Sequence, residues 1–323
     1  METLWKSVIE LSGKSRLLNS LLPSAIILAG LGALVVDAQF GWQNLIEWWQ
    51  TLKNETQLVM TAMFVLLVFA VAAPFDAFTQ TFLRWAEGYW GDNWLFRGLA
   101  MRRRTHHRKI IEESQKQFSE LHGKQEKGSL SHAEELRVQQ LEISLHSYPP
   151  DPQRAMPTFL GNVIRAAEDH ARVRYGLDPI VTWVRVYPAI SKVIQDALEG
   201  SQTTLGLAIR LIAQIILFAT IGVLFEVASG KWLMSLIVLI GSWITAYLAY
   251  QAAIQAAKSY GELVRATFDL YRFGLYESLH LPVPTQNGDA ERKQGNKLTQ
   301  FLWRGDLIMQ YEHHKETKTR VAP

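Results

Sequence analysis

Residues 232–279 read WLMSLIVLIGSWITAYLAYQAAIQAAKSYGELVRATFDLYRFGLYESL, with no proline and no charged side chain before Lys258. The first part, Trp232 to Ala253, is apolar over a length that crosses a hydrocarbon core of about 30 Å as a helix. Beyond Lys258, apolar residues continue at helical spacing among charged ones. They are Leu263, Val264, Phe268, Tyr271, Leu275 and Leu279. The stretch predicts one long helix whose first half spans a membrane and whose second half continues beyond it.

Three further runs have a similar length and apolarity: Leu17 to Val36, Leu58 to Phe75 and Gly206 to Val227. Continuous apolar runs are typical of transmembrane helices and not of the alternating strands of a membrane barrel. No stretch alternates convincingly over the length of a strand. The four runs predict an all-α membrane protein with two transmembrane hairpins, a helical domain between them and a long fourth helix.

Lysine and arginine are distributed unevenly between the predicted spans. Three precede the first span, seventeen lie between 76 and 204, and ten follow 256, whereas the other two loops carry one each, Lys53 and Lys231. By the positive-inside rule, this predicts a multi-pass membrane protein with both termini and the middle domain in the cytoplasm. The first span could instead be a cleaved signal, because Lys14 and Arg16 precede it and small residues follow it.

These features divide the chain into six predicted segments. They are an N-terminal amphipathic segment with the first hairpin (1–75), an interfacial aromatic helix (76–101), a cytoplasmic helical domain (102–204), the second hairpin (205–255), the cytoplasmic extension of the fourth helix (256–280) and a linker with a polar tail (281–323). Cysteine is absent, which excludes disulfides, thiolate metal sites and thiol nucleophiles.

Capping signals predict individual helices inside the cytoplasmic domain. A polar helix runs from Arg102 to about Leu121, and a break at 123–129 separates it from a second helix. Ser131 and Glu134 form a capping-box signature at the start of that second helix. The two helices predict a helical hairpin.

Further along, Thr158 is expected to cap a helix that stops at Gly176, and Asp178 with Pro179 opens the next one. A separate short helix is expected to end at Gly200, before the third span. After 281, prolines and polar residues predict a flexible linker, followed by a short amphipathic segment from Leu298 to Tyr311.

Aromatic and basic residues are concentrated after the second span, where residues 87–109 read EGYWGDNWLFRGLAMRRRTHHRK. The aromatic spacing predicts rings on one side of an interfacial helix, and the basic run is expected to attract anionic lipid at the cytoplasmic face. The predicted membrane anchor comprises Trp85, Tyr89, Trp90, Trp94, Arg102, Arg103, Arg104, Arg108 and Lys109. Nucleic-acid binding is the alternative, but no binding module accompanies the basic run.

Small residues recur every four positions along the fourth helix, a spacing that lets helices approach closely in lipid. They are Gly241, Thr245, Ala249, Ala253, Ala257 and Gly261. This ladder predicts either packing within the chain or a subunit contact in a homo-oligomer.

Arg210 stands inside the third span, where a charged side chain is costly unless it reaches the membrane edge or a partner. It either extends to the interface or lines a polar path through the membrane. The path would include Gln214 and, across the bundle, Gln251 or Gln255, with Asp76 as a carboxylate partner for Arg210.

Glu168, Asp169 and His170 have the side chains that acid–base catalysis uses, with Arg165 and Arg172 nearby. Neighbouring positions on one helix do not converge on a substrate, so surface ion pairs are the simpler interpretation. The adjacent pairs His106–His107 and His313–His314 diverge in the same way, and no metal or other cofactor is expected. Glycine-rich phosphate loops and nucleophile elbows are also absent.

Three phrases resemble a group of bacterial four-span integral membrane proteins: EGYW at 87–90, LGNVIRAAEDHARVRYGLDPIVTWVRVYP at 160–188 and YGELVRATFDLYRFGLY at 260–276. The resemblance implies the same order of elements and brings no mechanism with it. The expected function is a homo-oligomeric pore or channel, or a membrane sensor-scaffold. A membrane-interface enzyme acting on a lipid or amphiphile is the alternative.

Overall fold

The structure, a computed structural model, describes residues 21–91, 94–305 and 311. No strand occurs in this part of the chain, which confirms the all-helical prediction. The helices are α1 (Leu22–Val35), α2 (Trp42–Thr51), α3 (Asn54–Ala77), α4 (Thr79–Glu87), α5 (Trp94–Glu126), α6 (His132–His146), α7 (Phe159–Tyr175), α8 (Pro179–Val186), α9 (Lys192–Ala228), α10 (Trp232–Ser278) and α11 (Asp289–Arg304). The N-terminal amphipathic segment, the start of the first span, residues 306–310, and the tail with His313 and His314 lie outside the described residues.

Four of the described helices are long and apolar enough to cross a membrane: α1 with its continuation to Phe40, α3, α9 and α10. The chain divides into two compact units. The apolar unit contains the described residues of 1–89 and 203–256, and the charged unit contains those of 90–202 and 257–323. Helices α9 and α10 each contribute residues to both units.

The apolar unit exposes large hydrophobic side chains along its helices, including Met63 and Leu66 of α3 and Leu233 and Trp243 of α10. Contiguous apolar surface of this kind is unfavourable in water. In a bilayer the same surface faces lipid chains at no such cost. The exposure pattern therefore agrees with helices that could cross a membrane.

Helices α1 and α9 run parallel to each other in the apolar unit. Their contacts pair Ser24 with Gln214, Gly30 with Phe218 and Leu34 with Gly222, and Asp37 pairs with Lys231 just after α9. From one pair to the next, the residue number rises on both helices, which happens only when the two helices run parallel. The short connections at 36–53 and 229–231 consequently lie at one end of this unit, which we call the loop end.

Gly222 lies where three helices of the apolar unit pack closely together. A Cβ atom at this position would lie 3.0 Å from Leu34 Cδ1 of α1 and 3.2 Å from Val238 Cγ1 of α10. Such distances are shorter than ordinary van der Waals contacts, so a side chain at 222 would push the neighbouring helices outward. The glycine lets α9 contact both helices at once.

The predicted interfacial helix is interrupted. Helix α3 ends at Ala77, α4 ends at Glu87, and Gly88 and Gly91 then take left-handed backbone angles, with φ of 103° and 75°. Helical residues do not adopt positive φ, so Tyr89 and Trp90 are excluded from the helix. The prediction that the aromatic rings of this region lie on one continuous helix is wrong. These rings belong to Phe78, Phe82, Trp85, Tyr89, Trp90 and Trp94.

In the charged unit, α5 and α6 form the predicted helical hairpin. Ser131 Oγ accepts a hydrogen bond from the Glu134 backbone N–H, and Glu134 accepts one from the Ser131 N–H, which confirms the capping box. The predicted break at 123–129 is present but begins later than expected, because α5 continues to Glu126 and the next helix starts at His132. The separate helix ending at Gly200 is wrong, because α9 is continuous from Lys192. One glycine inside a helix costs only about 1 kcal/mol, and both helices tolerate it.

The core of the charged unit is built around the second half of α10. Phe268, Leu275 and Tyr276 of this helix are almost fully buried. They belong to one hydrophobic cluster with residues from four other segments, including Leu177, Val186, Leu198 and Leu298. The predicted helix stop at Gly176 and the cap at Asp178 are both confirmed, and they deliver Leu177 to this core.

Helix α11 occupies part of the chain for which a flexible linker was predicted. It begins at Asp289 and packs against the end of α7. A Cβ atom at Gly295 would lie 1.9 Å from the Tyr175 carbonyl oxygen, and one at Gly176 would lie 2.1 Å from the Arg292 carbonyl oxygen. The two glycines permit direct contact between the two backbones, so the linker prediction is wrong from 289 onward.

Introduced cysteine pairs test the parallel arrangement of α1 and α9, because the chain has no cysteine of its own. The Leu34→Cys, Gly222→Cys pair is expected to form a disulfide on mild oxidation, since Leu34 faces Gly222. The Gly32→Cys, Gly222→Cys pair is the matched control, because a Cβ at Gly32 meets nothing within 4 Å. Free thiols are counted by maleimide mass-tagging. Equal disulfide formation in both pairs would contradict the register.

Candidate functional site

The candidate polar path of the apolar unit begins with an ion pair. Arg210 Nη1 lies 2.8 Å from Asp76 Oδ1, which joins α9 to the end of α3. One turn further along α9, Gln214 donates a hydrogen bond of 2.7 Å to Ser24 Oγ of α1. Gln214 is only 2% exposed, so this bond is made in the interior of the unit.

The other residues expected on this path are placed differently. Gln251 is half-buried and Gln255 is exposed, both on α10. Arg210 and Gln214 have separate partners on separate helices. The structure therefore brings together Arg210 with Asp76 and Gln214 with Ser24, while a continuous path that includes both glutamines of α10 stays a prediction.

Glu226, which is not among the predicted site residues, is the most deeply buried acid in the described part of the apolar unit, at 0% exposed. Neither of its carboxylate oxygens has a hydrogen-bond partner among the residues that the structure describes. The same holds for the Ser242 hydroxyl. A signal was available, because Glu226 is the one acidic residue within the third apolar run, 206–227.

The ladder of small residues on α10 divides into two parts. Ala253 and Ala257 are fully buried, and a Cβ at Gly261 would lie 3.1 Å from the Ala167 Cβ, so this part packs within the chain. Gly241 and Thr245 are exposed, with nothing within 4 Å of a Cβ at Gly241, and Ala249 is half-buried. A subunit contact through the exposed part stays a prediction.

The predicted membrane anchor is accessible at most of its positions. Trp85, Tyr89 and Trp94 are exposed and Trp90 is half-buried. The arginines and the lysine of the basic run are all exposed, at 102, 103, 104, 108 and 109. Arg108 is engaged by Glu112 at 2.7 Å and by Gln153 at 3.1 Å. The remaining basic side chains project into solvent, as a lipid-contacting role would require.

His106 and His107 point in different directions, as expected for adjacent residues of a helix. His106 is exposed, whereas His107 is buried with its Nδ1 atom 3.3 Å from the Tyr148 hydroxyl. Burial, with Arg103 and His106 nearby, lowers the pKa of His107 to about 4. Among the described residues, no group of three or more His, Cys, Asp or Glu side chains could hold a metal.

The three acid–base candidates of α7 have three different sets of partners. The Asp169 side chain is only 2% exposed. Its two carboxylate oxygens accept hydrogen bonds from Arg154 Nε at 2.8 and 3.0 Å, and Oδ1 also accepts one from Arg172 Nη2 at 2.9 Å. His170 Nε2 lies 2.8 Å from Asp269 Oδ1. Asp169 thus acts as the centre of a buried ion cluster, and its carboxylate is unavailable to a substrate.

Asp269 also accepts a hydrogen bond of 2.5 Å from the Tyr175 hydroxyl. Burial and this hydrogen bond raise the pKa of Tyr175 to about 12, so Tyr175 acts as a donor throughout the physiological range. Glu168 lies 3.5 Å from Arg165, and burial raises the pKa of the Glu168 carboxyl.

Among the described residues of the charged unit, two grooves are lined in part by titratable side chains. The Glu168 groove, of about 240 Å³, is lined by Ile164, Ala167, Glu168, Pro179, Ile180, Trp183, Val184, Tyr260 and Val264. Its lining is apolar apart from Glu168 and the Tyr260 hydroxyl. Of the three acid–base candidates only Glu168 reaches it, so the structure does not assemble them into one site.

The other groove, of about 350 Å³, is lined by Glu142, Ile143, His146, Ser147, Val163, Lys258, Gly261, Glu262 and Arg265. At its edge, Glu262 Oε1 lies 2.6 Å from both His146 Nε2 and Arg265 Nη1. Arg265 also donates a hydrogen bond of 2.7 Å to the His146 carbonyl oxygen. Local sequence patterns could not identify this cluster, because His146 lies more than one hundred residues from Glu262 and Arg265 along the chain.

Replacing Asp169 tests its structural role. Asp169→Asn leaves Arg154 and Arg172 without their shared charge and is expected to lower the free energy of unfolding by about 3 kcal/mol. Glu168→Gln, the adjacent control, is expected to cost less than about 1 kcal/mol, because its ion pair is longer and more exposed. Thermal unfolding of the purified protein, followed by tryptophan fluorescence, measures both. An Asp169→Asn protein as stable as the wild type would contradict the assignment.

Comparisons with protein-family models, curated proteins and solved structures found no match to this chain. The geometry of the described residues is therefore what supports an assignment of function.

Proposed function

We propose that this chain is a non-enzymatic, multi-pass sensor-scaffold of the bacterial inner membrane. The apolar unit serves as its membrane anchor, and the charged unit lies on the cytoplasmic side. The observation that carries the proposal is the pairing of Arg210 with Asp76 and of Gln214 with Ser24. In a pore these polar side chains would face water, whereas here they form contacts between helices.

The energetics of these pairs favour an anchor. The Gln214–Ser24 bond is buried, and opening it toward a passage would leave a polar group unsatisfied in an apolar interior, at a cost of about 1–3 kcal/mol. The Arg210–Asp76 pair neutralises a charge inside a predicted span, where an isolated arginine is costly. Breaking either pair would therefore raise the free energy of the apolar unit.

The parallel packing of α1 with α9 supports the proposed orientation. The loop end of the apolar unit carries only Lys53 and Lys231, while the chain that follows α3 and precedes α9 carries seventeen Lys or Arg. Cytoplasmic segments are the ones enriched in positive charge. An outward-facing loop end and cytoplasmic termini follow from this distribution.

An enzymatic role finds less support. Asp169 is committed to two arginines, His170 to Asp269, and only Glu168 lines a groove. A sensor-scaffold depends on grooves and accessible charged side chains rather than on a set of catalytic residues. The charged unit has such grooves and such side chains. The groove at His146 combines two carboxylates with two cationic side chains, a lining suited to a polar ligand.

The second candidate is a homo-oligomeric pore. It is favoured by the exposed part of the ladder, Gly241 and Thr245, which offers a close-packing surface to another copy. A monomer in mild detergent would remove this candidate, because a shared axis needs several subunits.

Reconstitution separates the two candidates. Purified protein in liposomes is expected to give no ion flux above empty liposomes, because the polar side chains are engaged in helix–helix contacts. Gln214→Leu is the matched variant, and it is expected to leave that baseline unchanged. Flux through the wild type that Gln214→Leu reduces would contradict the scaffold and support the pore.

A further inference from the structure

Helix α2, at the loop end of the apolar unit, has an apolar side and a polar side. Successive side chains of a helix differ in direction by about 100°, which brings the large apolar residues of α2 onto one side. These residues are Trp42, Leu45, Ile46, Trp48 and Trp49, and we call this side the α2 face. The other side carries only polar residues, namely Gln43, Asn44, Glu47, Gln50 and Thr51. Helix α2 is therefore strongly amphipathic.

The described part of the chain leaves most of the α2 face uncovered. Ile46 and the three tryptophans are between 39% and 54% exposed, and Leu45 is half-buried. Contiguous apolar surface of this kind is rare on proteins in water and marks a site of contact with a partner or a membrane.

Both ends of α2 are joined to candidate spans. The Phe40 carbonyl oxygen, at the end of the first candidate span, accepts a hydrogen bond of 2.8 Å from Asn44 Nδ2. At the other end of α2, Gln57 Nε2 of α3 donates a hydrogen bond of 2.8 Å to the Trp49 carbonyl oxygen. Phe40 and Leu58 are themselves exposed, so exposed apolar side chains flank α2 on both sides along the chain. A bilayer that covers the two spans is therefore within reach of the α2 face.

The composition of α2 fits the boundary between the headgroups and the acyl chains of a bilayer. Tryptophan is enriched at this level, because its ring is apolar while its indole N–H can bond to water or to headgroups. Helix α2 contains no lysine or arginine, and Glu47 is its one charged residue. Attraction to anionic lipid therefore cannot hold it at the membrane, in contrast to the basic run at 102–109. Burial of the apolar side chains is the interaction that remains.

We propose that the α2 face binds the surface of the lipid bilayer, with the axis of α2 in the plane of the interface. The bound lipid is recognised through apolar contact and not through its headgroup charge. This contact fixes the depth of the loop end, because both ends of α2 are bonded to candidate spans. The inference rests on the part of the proposed function that inserts the apolar unit into a membrane, and it holds for either orientation of the spans.

Spin-label accessibility of the full chain in liposomes tests the proposal. The chain has no cysteine, so one introduced cysteine carries the only nitroxide label. Ile46→Cys labels the α2 face, and Glu47→Cys, the matched control, labels the polar side at the next exposed position. Leu66→Cys, exposed on α3, reports on lipid contact of a span. Electron paramagnetic resonance measures collisions of each label with O₂, which concentrates in lipid, and with a water-soluble nickel chelate.

The ratio of O₂ collisions to nickel collisions is expected to be highest at 66, intermediate at 46 and lowest at 47. The label at 46 contacts acyl chains near the headgroups, whereas the label at 47 projects into water. Liposomes of phosphatidylcholine alone and liposomes that also contain anionic phosphatidylglycerol are expected to give the same order and the same ratios, because α2 has no basic side chain.

Equal ratios at 46 and 47 would overturn the inference, and a label at 66 in lipid would then leave the membrane anchor in place. A label at 46 that is shielded from both reagents would mean that a protein surface or a second copy covers the α2 face, which also overturns it. Lipid contact at 46 only with phosphatidylglycerol would refute the apolar basis of binding. Water contact at 66 would remove the proposed membrane anchor together with this inference.

Discussion

The structure of the apolar unit depends on polar contacts that join its closely packed apolar helices. Arg210 meets Asp76, and Gln214 meets Ser24, so α9 is joined to both helices of the first hairpin. These contacts also specify register, because a shift by one turn would separate each pair. Apolar packing alone would specify the register less strongly, since one lipid-facing side chain resembles another.

Gly222 complements these polar contacts. Its missing side chain lets α9 approach α1 and α10 together. One turn later on the same face, Glu226 is buried by that close packing and lacks a partner among the described residues. The close packing that joins the three helices therefore also buries an acidic side chain.

Features encoded by local sequence were predictable. The four apolar runs, the capping box at Ser131 and the stop at Gly176 each follow from a short stretch and its own backbone chemistry. Features decided by distant contacts were not. Helix α11 is not predictable in this way, because the contact of Gly295 with the Tyr175 carbonyl joins segments far apart in sequence.

The candidate site shows the same division. Asp76 is predictable as a partner for Arg210 because it directly follows the second apolar run, and the structure contains that pair. The partner of His170 is Asp269, 99 residues away, and no spacing rule identifies it. Adjacent candidates on one helix, such as Glu168 and Asp169, diverge because successive side chains differ in direction by about 100°.

The central claim is that the apolar unit crosses the membrane with its loop end outside and the charged unit inside. Single cysteines at two exposed positions test it directly: Gln43→Cys in α2, near the loop end, and Gln125→Cys at the end of α5. Labelling of bacterial cells with a maleimide that cannot cross the inner membrane is the measurement. The account predicts that Gln43→Cys reacts in intact cells and that Gln125→Cys reacts only after the inner membrane is permeabilised. Reaction of Gln125→Cys in intact cells, with protection of Gln43→Cys, would contradict it.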